Sequence, residues 1–225
     1  MTPVDDRSEA PLIGDEVALL TGFTDFQRQT LAWKCAGLTP QQLATRAVPT
    51  SDLTLLGMLR HLAAVETGWL VGFGGLPFDL WPEVVRDRDE QFRVDPATVT
   101  QEDVDAAWAT WHSVTEAVAE VVSRLPLDTA DRPWGRDDEF SLRWILLHLV
   151  EEYARHNGHA DLIREAIDGA TGGVAGHPAT RRNSSTTRSA CASKVCCSRT
   201  ASAAAEPRRE ASSPARTSAT SSADR

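Results

Sequence analysis

The chain has 225 residues and a formal net charge of −9, from 32 acidic against 23 basic side chains. That length holds one full domain, and the acidic balance excludes a protein that neutralises nucleic-acid phosphates with a basic face. No run of about 18 uncharged apolar residues appears, so no transmembrane helix is expected, and the acidic opening MTPVDDRSEAPLIGDE lacks the basic and apolar blocks of a secretory leader. These priors predict a cytoplasmic, mostly helical protein.

In chain order, Asp15 to Ala36 reads as a helix with Val17, Leu20, Phe23, Leu31 and Cys35 on one stripe and Gly37 as its stop. Pro40 and Pro49 bound a connection in which Gln41 to Arg46 forms one or two turns. Ser51 or Asp52 is a fair N-cap for a second helix from Leu53 to Val71, with Leu55, Leu56, Leu59, Leu62 and Val65 inward. Gly72, Gly74, Gly75 and Pro77 then break the chain, and Phe78 to Pro96 is irregular. Such a long connection in a compact bundle is commonly functional or disordered.

Thr100 caps a third helix, with Glu102 and Asp103 in the first turn where the helix dipole favours negative charge. Its apolar stripe is Val104, Ala107, Trp108, Trp111, Val114, Val118 and Val121, and Pro126 ends it. A polar loop, Leu127 to Glu139, leads to Ser141 as the cap of a fourth helix, Leu142 to Asp168, stopped by Gly169. Four long helices without period-2 strands predict an all-α four-helix bundle.

Composition breaks near residue 170. Residues 1–170 hold 14 basic and 29 acidic side chains, whereas 171–225 hold 9 and 3, and Val174 and Val195 are the only aliphatic residues of the tail beyond Ala. The tail has too little apolar surface to offset the entropy of ordering, so the expected organisation is a bundle over 1–170 and a disordered, low-complexity tail over 171–225. Its Arg/Ala/Ser/Thr bias and abrupt onset also suit an altered-frame product of a GC-rich gene. Cys191, Cys196 and Cys197, with His177 nearby, match no zinc-ligand spacing well. Cys35 reads as a small core residue.

The histidines carry the chemistry. His61 lies within LLGMLRHLAAVETGW, and His148, Glu152, His156 and His159 lie within LLHLVEEYARHNGHADLIRE. Glu152 and His156 stand one helical turn apart on one face. That spacing lets one helix supply two ligands to a metal, and His61 from a neighbouring helix completes two imidazoles and one carboxylate. Such a set leaves coordination positions open and suits Zn, Ni, Fe(II) or Mn. The competing reading of these spacings is a solvated polar stripe beside satisfied core histidines.

Two stretches, LLGMLRHLAAVETGWL and EYARHNGHADLIRE, resemble the second-helix and last-helix blocks of the DinB/YfiT-like superfamily of four-helix-bundle metalloproteins. The resemblance spans roughly Asp15 to Asp168 and implies His61, Glu152 and His156 as metal ligands. Glu152 stands where many members have histidine. That departure resembles the branch of mycothiol-dependent maleylpyruvate isomerase, and the chain as a whole is similar to an actinobacterial subfamily of DinB-like proteins. His148 is then a candidate for a supporting partner, a substrate contact or an alternative ligand, and His159 for a supporting hydrogen bond to a ligand, a substrate contact or a cap on the site. Arg164 is a candidate for an anionic substrate, against a solvent-facing pair with Asp161 or Asp168. Gly158, in mid-helix, suggests close packing against a neighbour.

The activities this resemblance implies are thiol-dependent: a metal-dependent S-transferase or isomerase using a low-molecular-weight thiol such as mycothiol and a small electrophile. Two alternatives stay open, a non-catalytic metal-binding stress-related protein and a metal-assisted hydrolase. No Ser-His-Asp set and no Gly-rich phosphate loop points elsewhere. Related bundles often pair through helix faces, so a homodimer is an open arrangement. Trp69, Trp81 and Trp134, near helix ends or in loops, are either packing residues or the mouth of a site.

Overall fold

The computed structural model describes residues 7–73, 90–133 and 137–171, all within the unit Met1–Ala179. The tail from residue 172 on, with Cys191, Cys196, Cys197 and His177, lies outside the described residues, as do Trp81 and Trp134. Helix α1 (Glu16–Cys35) starts where the Asp15 carboxylate accepts from the Ala18 amide at 2.8 Å. A short α2 (Pro40–Leu43) is opened by a Thr39/Gln42 capping box.

Helix α3 (Leu55–Leu70) begins two residues later than the sequence reading. Its cap is neither Ser51 nor Asp52. Thr54 Oγ1 accepts from the Gly57 amide at 3.0 Å, while Asp52 pairs with Arg46 at 3.0 Å. Helix α4 (Gln101–Arg124) opens with a Thr100/Asp103 capping box. Helix α5 (Leu142–Asp168) runs from the Ser141 cap to Gly169, which takes the left-handed conformation (φ 76°) that only glycine adopts freely.

The α4–α5 connection contains one feature the sequence reading lacks. Ala130–Asp131 (β1) and Phe140–Ser141 (β2) pair antiparallel, Ala130 opposite Ser141. Two-residue strands are too short to leave an alternating hydrophobic pattern.

Cross-helix pairs define the topology. Glu16–Arg143, Gln27–Asn157 and Lys34–Asp161 run in step, so α1 and α5 are parallel. His61–His156 and Trp69–His148 run in opposite order, so α3 is antiparallel to α5. The core clusters place Val104 and Ala107 with Ala160 and Ile163, and Val118 and Val121 with Leu142 and Ile145, so α4 is also antiparallel to α5. Helices α3 and α4 therefore point the same way. The end of α3 and the start of α4 thus lie at opposite ends of the bundle.

The α4 stripe is buried as its spacing predicts, with Trp108 only partly so. The α1 stripe is buried only in part: Leu31 and Cys35 are in the core and Leu20 packs against it. Val17 and Phe23 are exposed, and α1 buries the polar Thr24, Arg28, Thr30 and Lys34 beside them. On α5, Leu147 and Leu162 are exposed.

The physical reason on α1 is a polar network in the middle of the bundle. Glu66 on α3 is fully buried and accepts from Arg28 Nε at 3.0 Å and Nη2 at 2.5 Å. Tyr153 Oη on α5 donates to the same carboxylate at 2.5 Å and accepts from Trp111 Nε1 on α4 at 2.8 Å. One carboxylate thus ties all four long helices. Burial works against the Arg28 charge, but attraction and hydrogen bonding to Glu66 outweigh it and raise its pKa. Burial, and then the nearby Glu66 charge, raise the Tyr153 pKa well above its ordinary value and keep the phenol protonated.

Candidate metal centre

Helices α3 and α5 bring the histidines together. His61, Glu152 and His156 each present a ligand atom, and these atoms lie within 4.8 Å of one another. The His61 and His156 rings meet edge to face, with centroids 4.6 Å apart and planes at 63°. Glu152 lies one turn before His156, and its Oε2 is 3.6 Å from His156 Nε2.

His156 is buried, and its Nδ1 makes no hydrogen bond. An unpaired buried polar atom costs about 1–3 kcal/mol, so its retention requires a reason. Burial, with the nearby His61 and His159, lowers the His156 pKa to about 4. The imidazole is therefore neutral at pH 7, with a lone pair to donate. Two imidazoles and one carboxylate in this state fit a divalent ion that keeps open positions.

The second oxygen of Glu152 faces another imidazole. Its Oε1 lies 3.4 Å from His148 Nε2, while His148 Nδ1 lies 3.6 Å from Glu151 Oε2. His148, Glu151 and Glu152 form a second group of close donors, but each carboxylate approaches a different nitrogen of one ring. That arrangement sets the imidazole between the two carboxylates, at distances longer than a normal hydrogen bond. Glu151 is also tied to Arg155, which lowers its pKa. The His159 ring is 5.4 Å from that of His156, and its buried Nδ1 makes no hydrogen bond.

A sequence model of the family mycothiol-S-transferase matches residues 19–169, from the first turn of α1 to the end of α5, with every residue of this centre inside the match. The chain belongs to the mycothiol S-transferase family. That family lies within the DinB-like superfamily, as the two histidine-bearing stretches imply. A comparison with curated proteins gives no match.

In this mycothiol S-transferase family member, Arg164 is placed apart from the histidines and is not solvent-facing. It is buried, donates to the Lys34 and Ala36 carbonyls at 2.8 Å each, and pairs with Asp168 at 2.8 Å. It closes the C-terminal end of α1 against α5, and Asp161 pairs with Lys34 instead.

Phe92 was missed by the sequence reading, which left its segment irregular. Its ring lies 4.8 Å from that of His61. Gly57, one turn before His61, permits this approach. A Cβ there would meet Phe92 Cα at 3.1 Å and Thr54 Oγ1 at 2.9 Å. A glycine inside an otherwise apolar helix was the signal for such a contact. Gly158 carries the opposite lesson: a Cβ at that position meets nothing within 4 Å, so close packing is not its reason.

Proposed function

We propose that the chain is a divalent-metal-dependent mycothiol S-transferase that joins the sulfur of a low-molecular-weight thiol to a small electrophile. The observation that carries this reading is the convergence of His61, Glu152 and His156 within 4.8 Å in a chain of this family. Zinc is the first expectation for the ion, with nickel, iron or manganese compatible with the same donors. An ion held there would supply Lewis acidity that favours the thiolate form of a thiol near neutral pH.

The chain's own side chains do the rest. Neutral His156 offers its lone pair without losing a proton. Glu152 turns Oε2 to the site, with Oε1 beside His148. The Cys35 thiol is buried and its pKa is pushed up to about 12, so the reacting sulfur comes from the co-substrate and not from this residue. In the transfer, a sulfur–carbon bond forms, the leaving group departs with its electron pair, and the thiol proton passes to solvent.

The test is metal content by elemental mass spectrometry, beside mycothiol consumption, for the full chain and for His61→Ala and His156→Ala. The expected result is close to one ion per chain, lost together with turnover in both variants. A metal-free wild type after reconstitution overturns the proposal. Cleavage of esters or amides without added thiol replaces it with the hydrolase reading.

A further inference from the structure

The stripe that carries the metal-type donors continues beyond them. Four-residue steps on α5 place Trp144, His148, Glu152 and His156 on one face. On α3, Trp69 stands two turns beyond His61. Because α3 and α5 are antiparallel, the pairing that sets His61 against His156 also sets Trp69 against His148 and Trp144.

The rings make one cluster. Trp69 lies edge-on to His148 at 4.9 Å and 5.2 Å from Trp144. Trp144 stacks on His148 at 5.0 Å with planes at 23°. Phe140, at the start of β2, sits 5.2 Å from Trp69 and 4.7 Å from Trp144. Trp69 and Phe140 lean on the core cluster of Val114, Val118 and Leu142, but Trp144 is outside it and 42% exposed. The His148 imidazole touches these rings on one side and on the other brings its Nε2 to 3.4 Å from Glu152.

We propose that Trp69, Phe140 and Trp144 form the acceptor subsite, where a flat aromatic electrophile stacks beside the reacting thiol. The inference rests on the S-transferase reading and adds the class of substrate. A half-exposed indole contributes little to the core. Set among two further rings and next to the donor stripe, it offers the offset and edge-to-face contacts that aromatic groups prefer. An aromatic halide meets this geometry. The thiol sulfur bonds to the ring carbon, the carbon–chlorine bond breaks with its electron pair leaving as chloride, and the thiol proton goes to solvent.

The test compares two acceptors, 1-chloro-2,4-dinitrobenzene and iodoacetamide, with mycothiol on the full chain, for wild type, Trp144→Ala and Trp144→Phe. Binding of the unreactive 4-nitroaniline is followed by calorimetry. The proposal expects Trp144→Ala to lower kcat/KM for the aromatic acceptor about five- to tenfold and to weaken 4-nitroaniline. Iodoacetamide turnover and metal content stay unchanged, and Trp144→Phe recovers most of the loss. An equal loss for both acceptors, or no loss for either, overturns it. If neither acceptor turns over in the wild type, the transferase reading fails, and the 4-nitroaniline titration still decides whether these rings bind an aromatic group.

Discussion

Two carboxylate-centred clusters lie side by side in this bundle, and they differ in how far they are closed. Glu66 is held by Arg28 and Tyr153, and Tyr153 in turn by Trp111, with a donor for each acceptor. Around Glu152, by contrast, the approaches from His148 and His156 are 3.4 and 3.6 Å, and the buried Nδ1 atoms of His156 and His159 have no hydrogen bond. The clusters share helices and even adjacent residues. Glu152 and Tyr153 point roughly 100° apart around α5, and Glu66 follows His61 by five positions on α3. A closed polar network of this kind specifies how helices meet. An open one leaves donors unsatisfied, as the proposed metal would require.

The largest expected effect breaks the closed cluster. Glu66→Ala leaves the Arg28 charge buried without its main partner, and removing one member of such a pair costs about 3–5 kcal/mol. Urea denaturation of the variant measures it. A loss below about 1 kcal/mol would mean the network is not what joins the helices.

The next effect is the mirror image, and it belongs to the open cluster. Zinc at roughly one hundred times its dissociation constant stabilises the wild type by about 2.7 kcal/mol if three side chains hold it in the folded state alone. His156→Ala removes that gain while leaving metal-free stability close to wild type. Thermal unfolding with and without zinc separates the two. A metal-independent melting temperature in the wild type would erase the distinction between the clusters.

Tyr153→Phe tests the closed cluster more finely. It strips one donor from Glu66 and leaves Trp111 Nε1 without its acceptor inside the core. The expected cost is about 1–2 kcal/mol, with zinc binding retained because Glu152 and His156 are untouched. Loss of zinc binding in this variant would show that the two clusters are one unit.

Sequence carried different parts of this picture unequally. Helices α4 and α5 were legible because their caps, Thr100 and Ser141, and their apolar spacing agree. Glu152 and His156 were legible as a pair because helix spacing puts them together, and His61, on another helix, was named as their third partner with the support of its segment's resemblance. The closed cluster was not legible. Periodicity weighs apolar residues, so it found Leu31 and Cys35 but also put Val17 and Phe23 on the α1 stripe, whereas that helix turns Arg28 and Lys34 inward to meet carboxylates on other helices. A lone Glu66 within the apolar run LAAVETGWL was the available clue. Trp144 was equally readable, four residues before His148, once the donor stripe was extended backward.

The smallest expected effect concerns the glycine inside the open cluster. Gly158 lies between His156 and His159, and its place in an interior turn of α5 costs about 1 kcal/mol against alanine. A methyl group there meets nothing within 4 Å, unlike the one at Gly57, which collides with Thr54 and Phe92. Gly158→Ala should therefore stabilise the protein by about 0.5–1 kcal/mol in urea denaturation without changing zinc affinity. Gly57→Ala should do the reverse, because it displaces Phe92 from the His61 ring. Destabilisation by Gly158→Ala would mean that the space beside His156 is needed by the folded protein, and that the open cluster is more tightly specified than its unpaired nitrogens indicate.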